Sequence, residues 1–385
     1  MSLRILVTVT HLLGAGHLTR AAAVSRALAR AGHGVTLVSG GAPTPLVPTS
    51  GMTFIQLPPV RTEVGDFTAL LDADGEAAGP TLLAERTARL LAAFEATRPD
   101  VVVTELFPFG RRILAGEHMA LLEAVRSARP RPLLLASIRD ILAPPSKPGK
   151  LARTRDLIAA FYDGVLVHGD ESLIPLDLSW PVDPALRTKL RYTGYVGDGA
   201  GATIRLGDRG DTVVVSGGSS AAGLPLYRAA LRAAAKGDRP WHVLLGHGVA
   251  EGDRTALHRM RPANVTLEQA RPDFRALLAK AAVFVGQAGY NTVMDVVATQ
   301  VRSVLVPFEQ GRETEQRLRA EALASRGLAT MLPEVALSPD TLLAAIDAAA
   351  QGSCPDLSGA RLDGADQTVR IIGDMVASRR SDIAA

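Results

Sequence analysis

The sequence predicts an α/β protein built from two doubly wound halves. Three observations carry that expectation. Buried-strand runs alternate with helical apolar spacing along the whole chain; small-residue turns join strand to helix at three places; and a glycine-rich break near residue 200 is followed by a fresh start of the same pattern. With 385 residues, 47% of them hydrophobic, the chain has material for two cores of ordinary size. Aromatic residues make up only 4%, so Ala, Leu and Val carry the packing, which suits helices layered on parallel strands.

In order, strands are expected at 3–9, 34–39, 53–57, 100–104, 132–137 and 164–167, with helices at 18–30, 80–97, 114–128 and 150–161 between them. Short connections in this order imply a mostly parallel sheet. The first helix is stopped by Gly32-His33-Gly34. Residues 58–79, with Pro58-Pro59, Gly65-Asp66 and Asp72 to Gly75, read as a long ordered loop of the kind that serves a site. Around Tyr195 to Ala202 the composition turns glycine-rich. The second half predicts strands at 212–216, 241–246, 264–268, 282–285, 303–306 and 329–331, and helices at 222–236, 253–261, 273–281, 291–299, 313–326 and 339–350. A last helix near Ala365 to Arg379 has no strand after it and is expected to cross back onto the first domain. The expected divisions are 1–200, 201–365, and a crossing helix with a frayed tail at 366–385.

A single cysteine, Cys354, excludes a disulfide framework and a cysteine-based metal site, which points to a reducing cytoplasm. The opening residues lack the layout of a signal peptide, and no run approaches twenty apolar residues. The expectation is therefore a soluble protein, peripheral to a membrane at most. A net charge of +3 is too small to argue for nucleic acid. Between Arg111 and Arg155, however, ten Arg or Lys face three carboxylates, so that stretch can meet anionic lipid or an acidic acceptor at the inner membrane face, or simply be a solvated surface.

Three turns carry the chemistry. Val283 to Asp295 reads as strand, glycine-bearing loop and helix start. Gly286 to Gly289, including Gln287, let backbone approach an anion, Asn291 or Thr292 can cap the helix, and Asp295 lies where it can accept both hydroxyls of a ribose. Thr212 to Ser216 runs into Gly217-Gly218-Ser219 and another helix, and Arg4 to Thr10 runs into His11 to His17. None of the three is a full G-x-G-x-x-G with its acidic partner or a Walker lysine loop, which argues against dehydrogenases and P-loop NTPases. His17, at a helix start, and Glu105, at the carboxyl end of the strand Val101 to Thr104, are competing general bases. A histidine base of ordinary pKa implies an acidic limb near pH 6 to 7 in the rate profile. The remaining histidines show no metal-ligand spacing with nearby carboxylates, so no metal is expected.

The run Gly289 to Asp295, Ser303 to Phe308 and Glu315-Gln316 ahead of Arg317 to Ala320 resembles the nucleotide-sugar half of GT-B glycosyltransferases, especially relatives of the peptidoglycan N-acetylglucosaminyltransferase MurG, over about residues 211 to 335. The opening His11 to Arg20, Ser137 to Asp140 and Val167 to Asp170 are similar to a bacterial glycosyltransferase group of unassigned acceptor. The resemblance implies two Rossmann-like domains facing across a deep cleft. It also implies an inverting, metal-independent transfer from a nucleoside-diphosphate sugar, with UDP as the nucleotide and no cofactor beyond that donor. Residue by residue it puts Asp295 on the ribose in place of a glutamate, Gln269 and Ala270 by the uracil, and Glu315 and Gln316 on the donor sugar. Ser216, Gly217, Gly218, Ser219, Gln287, Gly289, Tyr290, Asn291 and Thr292 would surround the diphosphate, and Gly16, Arg20, Asp66 and Arg139 would lie on the acceptor side. Arg20 is free to pair with a phosphate or with Asp66. The acceptor is an unassigned hydroxyl or amine, with a lipid-linked or anionic small molecule among the candidates. Rival readings are a nucleotide-sugar hydrolase or epimerase on the same fold, or a non-catalytic sugar-nucleotide-binding subunit.

Overall fold

Apolar residues run almost unbroken along the strands, and the structure, a computed structural model, places them between helical layers. It describes residues 2–44, 47–63, 66–145, 147–197, 208–218, 221–309 and 314–384. The chain divides into two compact units, one formed by Met1–Glu171, Pro175–Gly199 and Asp363–Ala385, the other by Ser172–Ile174 and Ala200–Leu362.

The first unit contains, in order, β1 (Arg4–Val9), α1 (Gly16–Arg30), β2 (Gly34–Ser39), β3 (Thr53–Gln56), β4 (Arg61–Glu63), β5 (Asp66–Leu71), α2 (Pro80–Thr97), β6 (Val101–Glu105), α3 (Ala115–Ser127), β7 (Leu133–Arg139), α4 (Pro148–Phe161), β8 (Gly164–His168), α5 (Pro184–Lys189) and β9 (Leu190–Tyr192). Its seven-stranded sheet has the order β3-β2-β1-β6-β7-β8-β9, every pair parallel. Successive residues alternate between two cores. Leu6, Val102, Leu134 and Val165 pack with α2, α3 and α4, whereas Ile5, Val7, Val101, Leu135 and Leu166 pack with α1. That two-sided burial makes the strands read as continuous hydrophobic runs.

The second unit contains β10 (Val213–Ser216), α6 (Leu224–Ala234), β11 (Trp241–Leu245), α7 (Glu251–Met260), β12 (Val265–Gln269), α8 (Phe274–Lys280), β13 (Val283–Gly286), α9 (Tyr290–Thr299), β14 (Ser303–Leu305), α10 (Glu315–Ala324), β15 (Thr330–Met331) and α11 (Pro339–Gln351). Its parallel sheet has the order β12-β11-β10-β13-β14-β15. The last helix, α12 (Gly364–Ala384), returns to the first unit, where Ile372 and Val376 join the α1 core.

Strand order therefore reverses at β1/β6 in one unit and at β10/β13 in the other. In open α/β sheets ligands bind beyond the carboxyl ends of the strands at such points. Three of the turns singled out in the sequence leave these strands.

Two segments differ from the sequence expectation. The stretch 58–79 is not loop throughout: β4 and β5 form an antiparallel hairpin, with Thr62 and Leu70 turned inward. Its inward residues are too few and too widely spaced to register as alternation. The other segment, 183–192, holds the short edge strand β9 and, before it, the helix α5, neither of them among the expected elements. The signal for α5 is short: the Asp183 side chain accepts from the Leu186 N–H at 2.8 Å, and Pro184 opens the first turn.

Candidate active site

At the β1/β6 reversal, Glu105 ends β6 and His17 lies in the first turn of α1. The two competing bases of the sequence reading are hydrogen-bonded to each other, His17 Nδ1 to Glu105 Oε1 at 2.9 Å. The Arg20 guanidinium, one turn further along α1, bonds the same carboxylate oxygen. Glu105 Oε2 accepts from the Ser137 hydroxyl, which β7 holds directly opposite it in the ladder. Arg20 was expected to meet a phosphate or Asp66; the structure sets it on Glu105. Asp66 opens β5, and its side chain lies outside the described residues.

Burial would raise the Glu105 pKa, but Arg20, His17 and Ser137 outweigh it and hold the carboxyl well below the usual range. His17 moves the other way from a charged histidine. Burial lowers its pKa to about 3, with Arg111 and Arg20 adding to the effect and Glu105 opposing it. The imidazole is thus neutral at working pH, chiefly through burial. Its side chain keeps 15% exposure, against 2% for Glu105. Arg20 Nη2 also lies 3.1 Å from His17 Nδ1, but it already donates to Glu105 Oε1; with Glu105 ionised, we assign the shared proton to Nδ1, which directs it to the same oxygen and leaves the Nε2 lone pair to take a proton.

The backbone around this carboxylate is unusual. Leu106 and Arg111 both have positive φ, 68° and 57°, conformations that side chains seldom adopt and that tend to gather at functional sites. Arg111 donates from Nε to the Thr10 carbonyl at 2.6 Å. Its position makes it a neighbour of Glu105, Arg139 and Arg20, and burial lowers its pKa to about 10. Arg139 closes β7 on the same sheet edge. At the start of α1, nothing lies within 4 Å of where a side chain on Gly14 or Gly16 would stand. Gly41 is the contrast: a Cβ there would meet the His11 carbonyl at 2.3 Å.

In the second unit, Gly289 is the N-cap of α9 and makes no side-chain cap. The sequence assigns that role to Asn291 or Thr292; both lie inside the first turn, because the helix starts at Tyr290, one residue earlier than expected. The loop before it is held from beneath. The Arg319 guanidinium, fully buried, donates to the Ala288 carbonyl at 2.7 Å and to Glu315 Oε1 at 2.8 Å. Glu315 therefore has an ion-pair role in addition to the expected contact with a sugar. Gln316 Oε1 accepts from the Phe308 N–H at 3.1 Å, and Gln287 Nε2 donates to the Ala222 carbonyl at 3.0 Å. Tyr290 is buried.

Asp295 follows one and a half turns into α9, four-fifths buried, and accepts from Arg275 Nε at 2.6 Å. Burial raises its pKa and Arg275 partly offsets this.

Two expected amide donors are already used. The Gly217 N–H bonds the buried Tyr227 hydroxyl at 3.0 Å, and the Ala270 N–H extends the sheet to the Leu245 carbonyl at 2.8 Å. Gly217 borders the loop sterically instead, since a Cβ there would lie 2.6 Å from Gly223 Cα. Gly218 has φ +76°, Ser216 ends β10, Gln269 is exposed at the end of β12, and Ser219 lies outside the described residues. Among the described residues no three His, Cys, Asp or Glu gather as a metal site.

Residues 212–361 match the glycosyltransferase family 28 C-terminal domain. Two curated relatives, both UDP-N-acetylglucosamine–N-acetylmuramyl-(pentapeptide) pyrophosphoryl-undecaprenol N-acetylglucosamine transferases, are similar over part of the chain. The Lactiplantibacillus plantarum protein is 30% identical over 23% of this chain, and that of an Exiguobacterium strain 32% identical over 37%. These matches span only 25% and 39% of the relatives' own lengths. Solved structures align with the whole chain. The glycotransferase of kitacinnamycin has TM-score 0.66 at 20% identity, covering 98% of this chain and 100% of its own. MurG of Acinetobacter baumannii has TM-score 0.63 at 16% identity, with 96% and 99% covered. The chain has the MurG-like GT-B glycosyltransferase fold. VinC, a glycosyltransferase solved with dTDP, shares that GT-B fold at TM-score 0.57 and 17% identity, over 97% of this chain and 100% of its own.

Proposed function

We propose that this protein is an inverting, metal-independent glycosyltransferase that takes a sugar from a nucleoside diphosphate, with UDP as the nucleotide. The observation that carries the reading is the hydrogen bond between His17 and Glu105 at the sheet reversal. An acceptor hydroxyl or amine gives its proton to His17 Nε2 as its heteroatom bonds the anomeric carbon. The bond from that carbon to the diphosphate oxygen breaks, and its electron pair leaves with the nucleotide. Glu105, receiving the Nδ1–H, stabilises the imidazolium as it forms. Within the second unit we assign the start of α9 to the diphosphate and Asp295 to the ribose hydroxyls, a reading that calls for neither metal nor cofactor.

For the acceptor we favour an anionic or lipid-linked molecule bound by the first unit. Arg111 and Arg139 near the open start of α1 support this, as does the lipid diphosphate named for the curated relatives' reaction. No described helix is long and apolar enough to cross a membrane; for a lipid-linked acceptor we propose peripheral contact at the cytoplasmic face.

The test is diphosphate release from UDP-sugars and dTDP-sugars in EDTA, with and without a panel of lipid-linked acceptors. Acceptor-dependent release supports a transferase. Release that persists without acceptor means a hydrolase, and tight nucleotide binding without turnover means a binding subunit.

A further inference from the structure

The hydrogen-bonded chain does not end at Glu105. Ser137 Oγ lies 3.0 Å from His168 Nε2, and His168 Nδ1 lies 2.9 Å from Thr193 Oγ1. Glu105, Ser137, His168 and Thr193 are all 5% exposed or less, and they come from β6, β7, β8 and the residue after β9. A row of polar groups thus crosses the buried carboxyl edge of four adjacent strands.

The carboxylate decides which way the protons point. Glu105 can only accept, and a hydrogen bond to an ionised acceptor is about twice as strong as a neutral one. Ser137 has one proton and gives it to Glu105, so its oxygen must accept from His168 Nε2–H. Burial, with Arg20 adding to it and Glu105 opposing, lowers the His168 pKa to about 3 and keeps the ring neutral. Its Nδ1 then carries no proton and faces the Thr193 hydroxyl, whose single proton is shared among that nitrogen at 2.9 Å, the Gly194 carbonyl at 2.8 Å and the Val167 carbonyl at 3.3 Å. His17, on the other side, donates from Nδ1. Arg20 and Arg111 are the other charges facing Glu105, Arg20 through a hydrogen bond.

We propose that Ser137 and His168 are positioning residues that act through Glu105, locking His17 with its proton on Nδ1 and its lone pair on Nε2. This rests on His17 being the base. The two histidines then occupy opposite tautomers, His17 as Nδ1–H and His168 as Nε2–H. Neither Ser137 nor His168 needs to touch a ligand. Without Ser137 the carboxylate loses the donor on its far oxygen and turns, and the His17 ring is no longer held in one orientation.

Nitrogen NMR of the full chain with labelled histidine, at pH 7 and without substrate, reads both tautomers directly. His17→Gln and His168→Gln spectra assign the signals. Opposite tautomers are expected; His168 as Nδ1–H would overturn the proposal, because Ser137 would then donate away from Glu105. Ser137→Ala should lower kcat by about 10- to 100-fold at unchanged KM and turn the His17 signal into a mixture of tautomers. Ser137→Thr, which keeps the hydroxyl, should restore both. A Ser137→Ala protein with wild-type kcat and an unmixed His17 signal would overturn the role. Failure of the base reading looks different: His17→Ala would turn over normally while the tautomers stayed opposite.

Discussion

The two sheet reversals of this molecule are built from different materials. In the first unit the site is made of side chains: a carboxylate 2% exposed, with Arg20, His17 and Ser137 converging on it. In the second it is made mostly of backbone and of side chains that are missing. A Cβ on Gly286 would lie 2.2 Å from the Phe284 ring and 2.7 Å from the Ser216 carbonyl, and one on Gly217 would strike Gly223. The difference follows from the proposed chemistry. A proton must go to one atom with one lone pair, which only a titratable group in a fixed tautomer offers. A diphosphate needs only amides brought close, which any chain can supply if nothing stands in the way. The first site should therefore be sensitive to loss of charge, the second to loss of a contact or gain of volume.

The largest expected effect falls on the first site. His17→Ala should lower turnover by about 10²–10⁴-fold while nucleotide affinity, measured by calorimetry, stays close to wild type. Normal turnover would erase the contrast between the sites. Because the His17 pKa is lowered to about 3, the base stays neutral as pH falls, and the acidic limb of kcat/KM should lie below pH 5. A limb at pH 6 to 7, as an ordinary histidine would give, would mean that the ring is not held as described.

Next comes Arg20→Ala, which strips a buried carboxylate of the cation in contact with it. The cost should be about 3–5 kcal/mol in denaturant unfolding. A loss under 1 kcal/mol would show that Glu105 finds water or another partner.

Acid should destabilise the first unit for a related reason. His168 and His118 are buried, with pKa values lowered to about 3 by burial first and by nearby arginines second. His118 stacks on Phe107 at 4.4 Å, and neither of its ring nitrogens has a hydrogen-bond partner among the described residues. Below about pH 6.5 the unfolded chain binds protons that the folded chain refuses. Stability should be full above that pH and fall toward pH 3, by roughly 1.4 kcal/mol per unit for each such histidine. A flat stability profile between pH 7 and 5 would contradict it.

On the second site, Asp295→Ala should weaken UDP binding by about 1.5–3 kcal/mol. Equal affinity would remove Asp295 from the ribose and leave it as the partner of Arg275. The smallest effect sharpens the comparison. Gly16→Ala meets no protein atom within 4 Å, so stability should change by less than about 0.5 kcal/mol. If the start of α1 receives an acceptor closely, its KM should nonetheless rise; an unchanged KM would place the acceptor elsewhere.

The alternation of strand and helix was readable because each strand is buried on both faces, and the expected helix and strand ranges fall within a few residues of those observed. His17 and Glu105 were readable as candidates, one at a helix start and the other at the end of a strand run, but not as partners: 88 residues separate them, and only the strand order brings them together. Ser137 and His168 were visible only as members of matching segments, since a hydroxyl in a strand carries no pattern of its own. Arg319 sits within a helix whose other arginine, the exposed Arg317, looks the same in sequence. The spent amides of Gly217 and Ala270 could not be anticipated, because a strand running one residue further, or a tyrosine reaching back from the next helix, leaves no periodic trace.

One feature of the first unit bears on how such a chain could arise. The Gly364 N–H bonds the Tyr195 carbonyl at 3.1 Å, and a Cβ on Gly364 would lie 2.4 Å from the Gly194 carbonyl. The strand that leaves the first unit and the helix that re-enters it are therefore fastened side by side. In architectural terms the intervening residues are an insertion with a common doorway: removing them and bridging the gap with a short glycine linker would leave every strand of the seven-stranded sheet and the returning helix in place. On the proposed function, exchanging such a module would alter the donor side while leaving the His17–Glu105 edge as it is.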